Sequence, residues 1–347
     1  MRGVNLADAA EVFIFISGYT AALVYGEKMR RQGAILASAL IWRRAWQLYV
    51  AHLCLFLLYS AEVAYTLRRF HASLFSDELG IGDFLQRPDV TILNVLLLRF
   101  QPALLDILPL YIVLLLVFPV FMVAMRRHAL LALIPSALIY AYARLTEINL
   151  PGSTESSPWF FDPFAWQFLF VIAACAGYAR AEGRAFLPQG NWAARLLILG
   201  AIAVTAGGMA IQLSWTFHQI DPRIPGILFQ TLFPLHKTLL PLSRLFSILA
   251  VAVLVGRFVP QNARFMTSRI GWLVVLCGQH SLHVFCLSIL LSLLGNILIT
   301  FVSNGFAMLI AVNVGGVVLM IGLALLIAWY GEGGHLPKRP NRRTGTS

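Results

Sequence analysis

Charge is what this chain has least of: 12% of its 347 residues are Asp, Glu, Lys or Arg, about half the share found in soluble domains. So low a share excludes an ordinary water-soluble globule, whose surface needs those groups. Acid is scarcer than base, with 15 carboxylates against 26 Lys and Arg. Cysteine is scarce too: Cys54, Cys175, Cys277 and Cys286 all fall inside apolar runs, with no C-x-x-C pair. That pattern indicates neither a disulfide framework nor a metal site. No P-loop, Gly-rich nucleotide pattern, G-x-S-x-G elbow or H-E-x-x-H occurs, so the best-marked nucleotide, hydrolase and zinc chemistries have no motif here. A leader's basic flank is missing as well, because the first apolar run opens with Asp8 and Glu11.

What fills the chain instead is apolar residues, 59% of the total, with a mean hydropathy of +0.78. They come in continuous runs of roughly 17 to 25 residues, the length a helix needs to cross a bilayer. Spanning barrels alternate polar and apolar at every second residue and are excluded. The expectation is an all-α membrane protein, a polytopic transmembrane helical bundle forming one domain over residues 1–331. Nine spans are predicted, at 7–26, 45–67, 106–125, 129–146, 164–180, 195–215, 240–259, 273–299 and 306–330. Residues 34–44 are expected in the interface before the chain turns inward. Residues 332–347 are polar, basic and contain Pro and Gly, and read as a disordered cytoplasmic tail.

The formal charge of +11 would suggest nucleic acid for a soluble protein, but the cations lie at span ends and in loops, so the partner they imply is the lipid bilayer and no nucleic acid is expected. Assigning the segment ending at residue 44, residues 126–128, 180–195, 257–269 and the tail to one side collects 17 basic and 3 acidic residues, leaving 9 basic and 12 acidic on the other. By the positive-inside tendency the first side is cytoplasmic, the carboxyl terminus with it. Nine crossings then put the amino end outside, which predicts a further segment upstream. The outer connections 68–105, 147–163 and 216–239 are long and carry Asp, His, Trp and Pro. Long mixed loops favour chemistry or recognition on that face. The chain has neither an internal repeat nor a matched pair of Gly/Pro-broken spans, which argues against a transporter.

Asp8 and Glu11, at i and i+3, share a helix face. At a helix start D-x-x-E is a capping box, and at a membrane edge the same carboxylates could hold a substrate hydroxyl or polarise a catalytic base; both readings stay open. Ser17, Gly18, Ala21 and Ala22 are small residues at packing spacing, which predicts that the first span lies against a neighbour. Arg43 and Arg44 stand beside Trp42 and Trp46, an interfacial belt or a phosphate site. His52 and Glu62 lie deeper, where ionisable groups are costly and normally face the bundle interior. Asp106 is a helix-dipole partner or a substrate ligand.

In PWFFDPFAWQ at 158–167, Trp166 and its aromatic neighbours suit an interface and would also stack on a sugar. His218, Asp221, Arg223, His236 and Lys237 are spread without metal-ligand spacing. Lys237 and Arg244 could neutralise an anion or simply snorkel. Gln279, His280 and Ser281 cluster at depth, with His283 on nearly the same face, either as packing residues or as a site.

The segments DAAEVFIFISGYTAALVYG, LLLRFQPALLDILPLYIVLLL, PWFFDPFAWQFLF and CGQHSLHVFCLSILLS resemble the OpgC family of membrane acyltransferases, relatives of the acyltransferase-3 superfamily, in the family's order from about residue 5 to 330. The resemblance implies a ten-span bacterial inner-membrane enzyme that takes an acyl group, typically succinyl, from cytoplasmic acyl-CoA to a periplasmic glucan hydroxyl. Acyl-CoA is then a cosubstrate, no bound cofactor is implied, and the glucan synthesis machinery becomes a partner. By its motifs Asp8, Glu11 and His280 are the catalytic expectations, and Gln279 one for substrate binding. The residues themselves add Arg43, Arg44, His52 and Trp166 as substrate-binding expectations. Family members begin with a basic leader and a first span carrying an Arg and a His taken as the catalytic base; the resemblance implies that this chain starts after that point, which makes an inactive remnant of the enzyme the second expectation behind the enzyme itself. The competing expectations are a transporter or flippase for a small anion or glycolipid, using His52, Glu62 and His280 as pathway residues, and an assembly subunit without chemistry.

Overall fold

The computed structural model describes residues 8–70, 81, 82, 84, 87–153, 158–184, 186, 190, 192–220, 237–259, 265, 268–331, 333 and 335, with side chains left out at 70 and 212–220. Described residues form helices, with one isolated bridge between Pro151 and Pro158. In chain order the helices are α1 (Ala9–Gln32), α2 (Ala34–Phe70), α3 (Pro88–Leu96), α4 (Ile107–Arg127), α5 (Ala129–Thr146), α6 (Pro163–Ala181), α7 (Trp192–Ile220), α8 (Leu242–Phe258), α9 (Arg269–Gln279), α10 (Ser281–Phe301) and α11 (Phe306–Gly331). Among the described residues eight are long and apolar enough to cross a membrane: α1, α2, α4, α5, α6, α7, α10 and α11. The expected bundle of membrane helices is therefore what the chain builds. The span expected at 240–259 corresponds to α8, whose 17 residues make it about 25 Å long, at the lower limit for crossing.

Two elements differ from the reading of the sequence. Residues 34–44 run on as part of α2 without a break, in one helix of 37 residues, about 55 Å in helical rise against about 30 Å of hydrocarbon. The span expected at 273–299 is two helices, α9 and α10, parted at His280, whose φ of −104° and ψ of 31° leave the helical region. Apolar residues continue across the break, so hydropathy does not register it. Weak helix formers do mark it, in Gly278, His280 and Ser281.

The chain divides into two compact units, one of residues 1–49, 97–101 and 106–259, the other of 50–96, 102–105 and 260–347. In the first unit α1 packs along α6, and α6 also meets α4 and α5. Ser17, Gly18, Ala21 and Ala22 are all buried there. A Cβ on Gly18 would stand 2.3 Å from the Phe170 carbonyl oxygen, and one on Gly177 would stand 2.1 Å from that of Tyr19. Only hydrogen fits at either position, which lets the two backbones touch as the small-residue pattern predicted. Gln167 ties α6 to α5: its amide donates to the Ser136 carbonyl at 2.8 Å and accepts the Ser136 hydroxyl at 2.5 Å. In the second unit α9 and α10 both meet α11, and Leu276, Ala324 and Ala328 form a small buried core with Trp272 and Val284.

Candidate functional site

The site is built at the start of α1. Asp8 is the N-cap of that helix: its Oδ1 accepts from the Ala10 N–H at 3.1 Å, and Oε2 of Glu11 accepts from the Asp8 N–H at 2.9 Å. This is the complete capping box, and it occupies one oxygen of each carboxylate. The other two oxygens face α8. Arg244, in the first turn of α8, donates Nη1 to Glu11 Oε1 at 2.6 Å and to Asp8 Oδ2 at 3.4 Å. Lys237 donates its amino group to the same Asp8 oxygen. The capping reading of this pair is what the structure shows, and the oxygens that the cap leaves meet two cations.

Exposure is graded through this quartet. Side-chain exposure is 0% for Glu11 and 5% for Arg244, rising to 19% for Asp8 and 33% for Lys237. The cluster is closed at its inner end and open at the Asp8–Lys237 edge. Burial alone opposes the charge on Asp8. Its hydrogen bonds with Glu11, Lys237 and the Ala10 N–H, and the lysine charge, nevertheless hold its carboxyl below the usual carboxylate range.

A braced turn presents the two cations. Residues 237–240 form a tight turn in which the Leu240 N–H donates to the Lys237 carbonyl, and Leu240 takes a left-handed φ of 44°. Its carbonyls are pinned from α5 and α6. The indole N–H of Trp166 bonds those of Lys237 and Thr238 at 3.2 and 3.0 Å, and the Asp162 N–H bonds that of Thr238 at 3.1 Å. Tyr140 donates its hydroxyl to the Leu240 carbonyl at 2.8 Å, and Arg144 donates to that of Leu239. Trp166 is 0% exposed, with Phe161 edge-on at 4.7 Å. This corrects the sugar-stacking reading of Trp166: the ring has no open face, and its role here is to hold the turn.

Two further carboxyls stand by the same elements. Asp106 precedes α4, makes no side-chain cap, and is pushed up to about 6 by burial, against backbone hydrogen bonds and the Lys237 charge. Asp162 caps α6 through Oδ1 to the Phe164 N–H at 2.9 Å. It is 0% exposed, its Oδ2 has no hydrogen-bond partner among the described residues, and burial raises it to about 6 as well. Asp162 is not among the candidates drawn from the sequence; a D-P pair opening an apolar helix was the available signal.

Of the other sequence candidates, Arg43 and Arg44 belong to the first unit, and His52, Glu62, Gln279 and His280 to the second. Arg43 is exposed and Arg44 half-buried on α2, where Trp42 donates its indole N–H to the Leu116 carbonyl. His52, in the second unit, is 0% exposed, and neither ring nitrogen has a partner among the described residues. Glu62 is half-buried. Gln279 is exposed and His280 half-buried at the break between α9 and α10. Asp221, Arg223 and His236 lie outside the described residues, as does the side chain of His218. Among the described residues no His, Cys, Asp and Glu group could hold a metal ion.

Compared with known proteins, the chain matches a family model described as OpgC protein over residues 1–332. No curated protein and no solved structure matches it.

Proposed function

The chain belongs to the OpgC family, and on that premise we propose that it is a membrane O-acyltransferase, moving an acyl group, succinyl in the first instance, from cytoplasmic acyl-CoA to a hydroxyl of a periplasmic glucan. The observation that carries the proposal is the graded quartet of Asp8, Glu11, Lys237 and Arg244, closed at one end and open at the other. In the reaction the acceptor oxygen bonds to the thioester carbonyl carbon, the C–S bond breaks, and the hydroxyl proton ends on the leaving thiol. Asp8 is a poor proton acceptor, since its partners favour the carboxylate. Its role is to orient the hydroxyl by accepting its hydrogen bond. Lys237, the most exposed cation of the four, stabilises negative charge on the tetrahedral oxygen. Glu11 and Arg244 hold this pair in position. His280 is proposed as a further catalytic group, and Arg43, Arg44, His52 and Gln279 as substrate-binding groups, each tested separately.

The test is transfer of labelled succinyl from succinyl-CoA to glucan in membrane vesicles. Asp8→Asn and Lys237→Met are each expected to lower the rate by about 100-fold or more, with the protein still present in the membrane. Wild-type rates in both variants would overturn the assignment.

One observation favours the rival reading, transport of a small anion or glycolipid. The break at His280 makes a discontinuous helix within an apolar run, a device that transporters use at their binding sites. Substrate movement in vesicles without thioester would establish that reading, and thioester-dependent labelling of sugar would exclude it.

A further inference from the structure

At the opposite end of the first unit from Asp8, the helix ends collect cations. Lys28, Arg30 and Arg31 end α1, Arg126 and Arg127 end α4, and Arg180 and Arg184 lie at and after the end of α6. Glu27, paired with Arg30 and Arg31, and Glu182, paired with Arg184, are the acids among them. Charge at helix ends follows from the positive-inside tendency and from the helix dipole. Neither explains the cavity between them. A pocket of about 180 Å³ opens there, lined by Met125, Ala129, Cys175, Tyr178, Arg184 and Phe186. Arg126 follows the lining residue Met125 at the end of α4 and lies within electrostatic reach of the Tyr178 hydroxyl. The walls are apolar, and the rim carries the Arg184 guanidinium, the Tyr178 phenol and the Glu182 carboxylate that meets both.

We propose that this pocket binds one anionic phospholipid, its phosphate between Arg126 and Arg184 and its first methylenes along Met125 and Ala129. Three features select that occupant. The apolar wall rejects a free inorganic anion, the two guanidinium groups match phosphate oxygens, and the place is a bundle end where helices meet the headgroup layer. Basic pockets between membrane helices take anionic headgroups for the same reasons. The volume holds a headgroup and the root of a chain, and the rest of the lipid would lie in the bilayer.

The experiment uses the full chain in neutral detergent, with phosphatidylglycerol added and bound lipid counted by native mass spectrometry. One phosphatidylglycerol is expected to be retained per chain and no phosphatidylcholine. Arg126→Gln with Arg184→Gln should weaken retention about tenfold or more, both residues being exposed and outside the packed core. Ala129→Trp, which fills the pocket while keeping both arginines, should give the same loss. Retention that survives Ala129→Trp overturns the pocket and leaves only a surface charge effect. Displacement of the lipid by coenzyme A would also overturn the proposal, by giving the pocket to a thioester donor. Loss of glucan labelling with lipid retention intact would bear on the acyltransferase reading and leave the lipid site standing.

Discussion

Arg244 carries a full charge into a place where 4% of its surface is exposed, and Glu11 opposite it is wholly buried. Removing one member of such a pair leaves the other charge unsatisfied, at a cost of about 3–5 kcal/mol. Arg244→Gln is accordingly expected to lower the thermal midpoint in detergent far more than Glu11→Gln combined with Arg244→Gln. Equal losses in the single and double variants would mean that the pair is not coupled. Asp162 makes a prediction in pH. Burial raises it from 3.8 to about 6 in the folded state, so the stability it contributes is fully present below about pH 3.8 and lost as pH rises through about 6. Asp106 acts in the same direction. Asp8 acts in the opposite one, contributing above its ordinary value and losing that contribution as pH falls below it. Asp162→Asn keeps a side chain able to cap α6 and should flatten the fall in midpoint between pH 4 and 6.5. An unchanged slope would rule the carboxyl out as its cause.

At the scale of elements, the α1–α6 contact is decided by hydrogen atoms at Gly18 and Gly177. Gly18→Ala would drive a methyl group into the Phe170 carbonyl, forcing the helices apart at a cost of about 1–3 kcal/mol or more. Gly207→Ala on α7 has nothing within 4 Å of the added carbon and should be neutral or slightly stabilising. Thermal midpoints of the two variants compare them directly, and equal shifts would contradict the close approach. The small-residue spacing in α1 was legible because it repeats on one helix face. Its partner was not, because Gly177 is a lone glycine in α6 whose meaning depends on which backbone comes near. The break at His280 was hidden for another reason. Hydropathy averages over a window longer than the interruption, so α9 and α10 read as one span.

For the whole molecule, the distribution of cations sets the expected orientation. On the assignment that gathers 17 of the 26 basic residues on one side, a tag at residue 347 is expected to be reachable only from the cytoplasm. Labelling of that tag from the periplasm in intact cells would reverse the orientation, and with it the proposed direction of acyl transfer.

Composition and run length by themselves determined that this chain is a bundle of membrane helices, because a bilayer demands about 20 apolar residues per crossing and admits few alternatives. The capping box at Asp8 and Glu11 was equally readable, being local to one turn. The tertiary structure alone decided what those carboxylates face. Lys237 and Arg244 stand 229 to 236 residues away along the chain, and the sequence said only that charges near the membrane must find partners. Folding chose the partners, by docking the 237–240 turn on Trp166, Asp162 and Tyr140 and so carrying two cations to the start of α1.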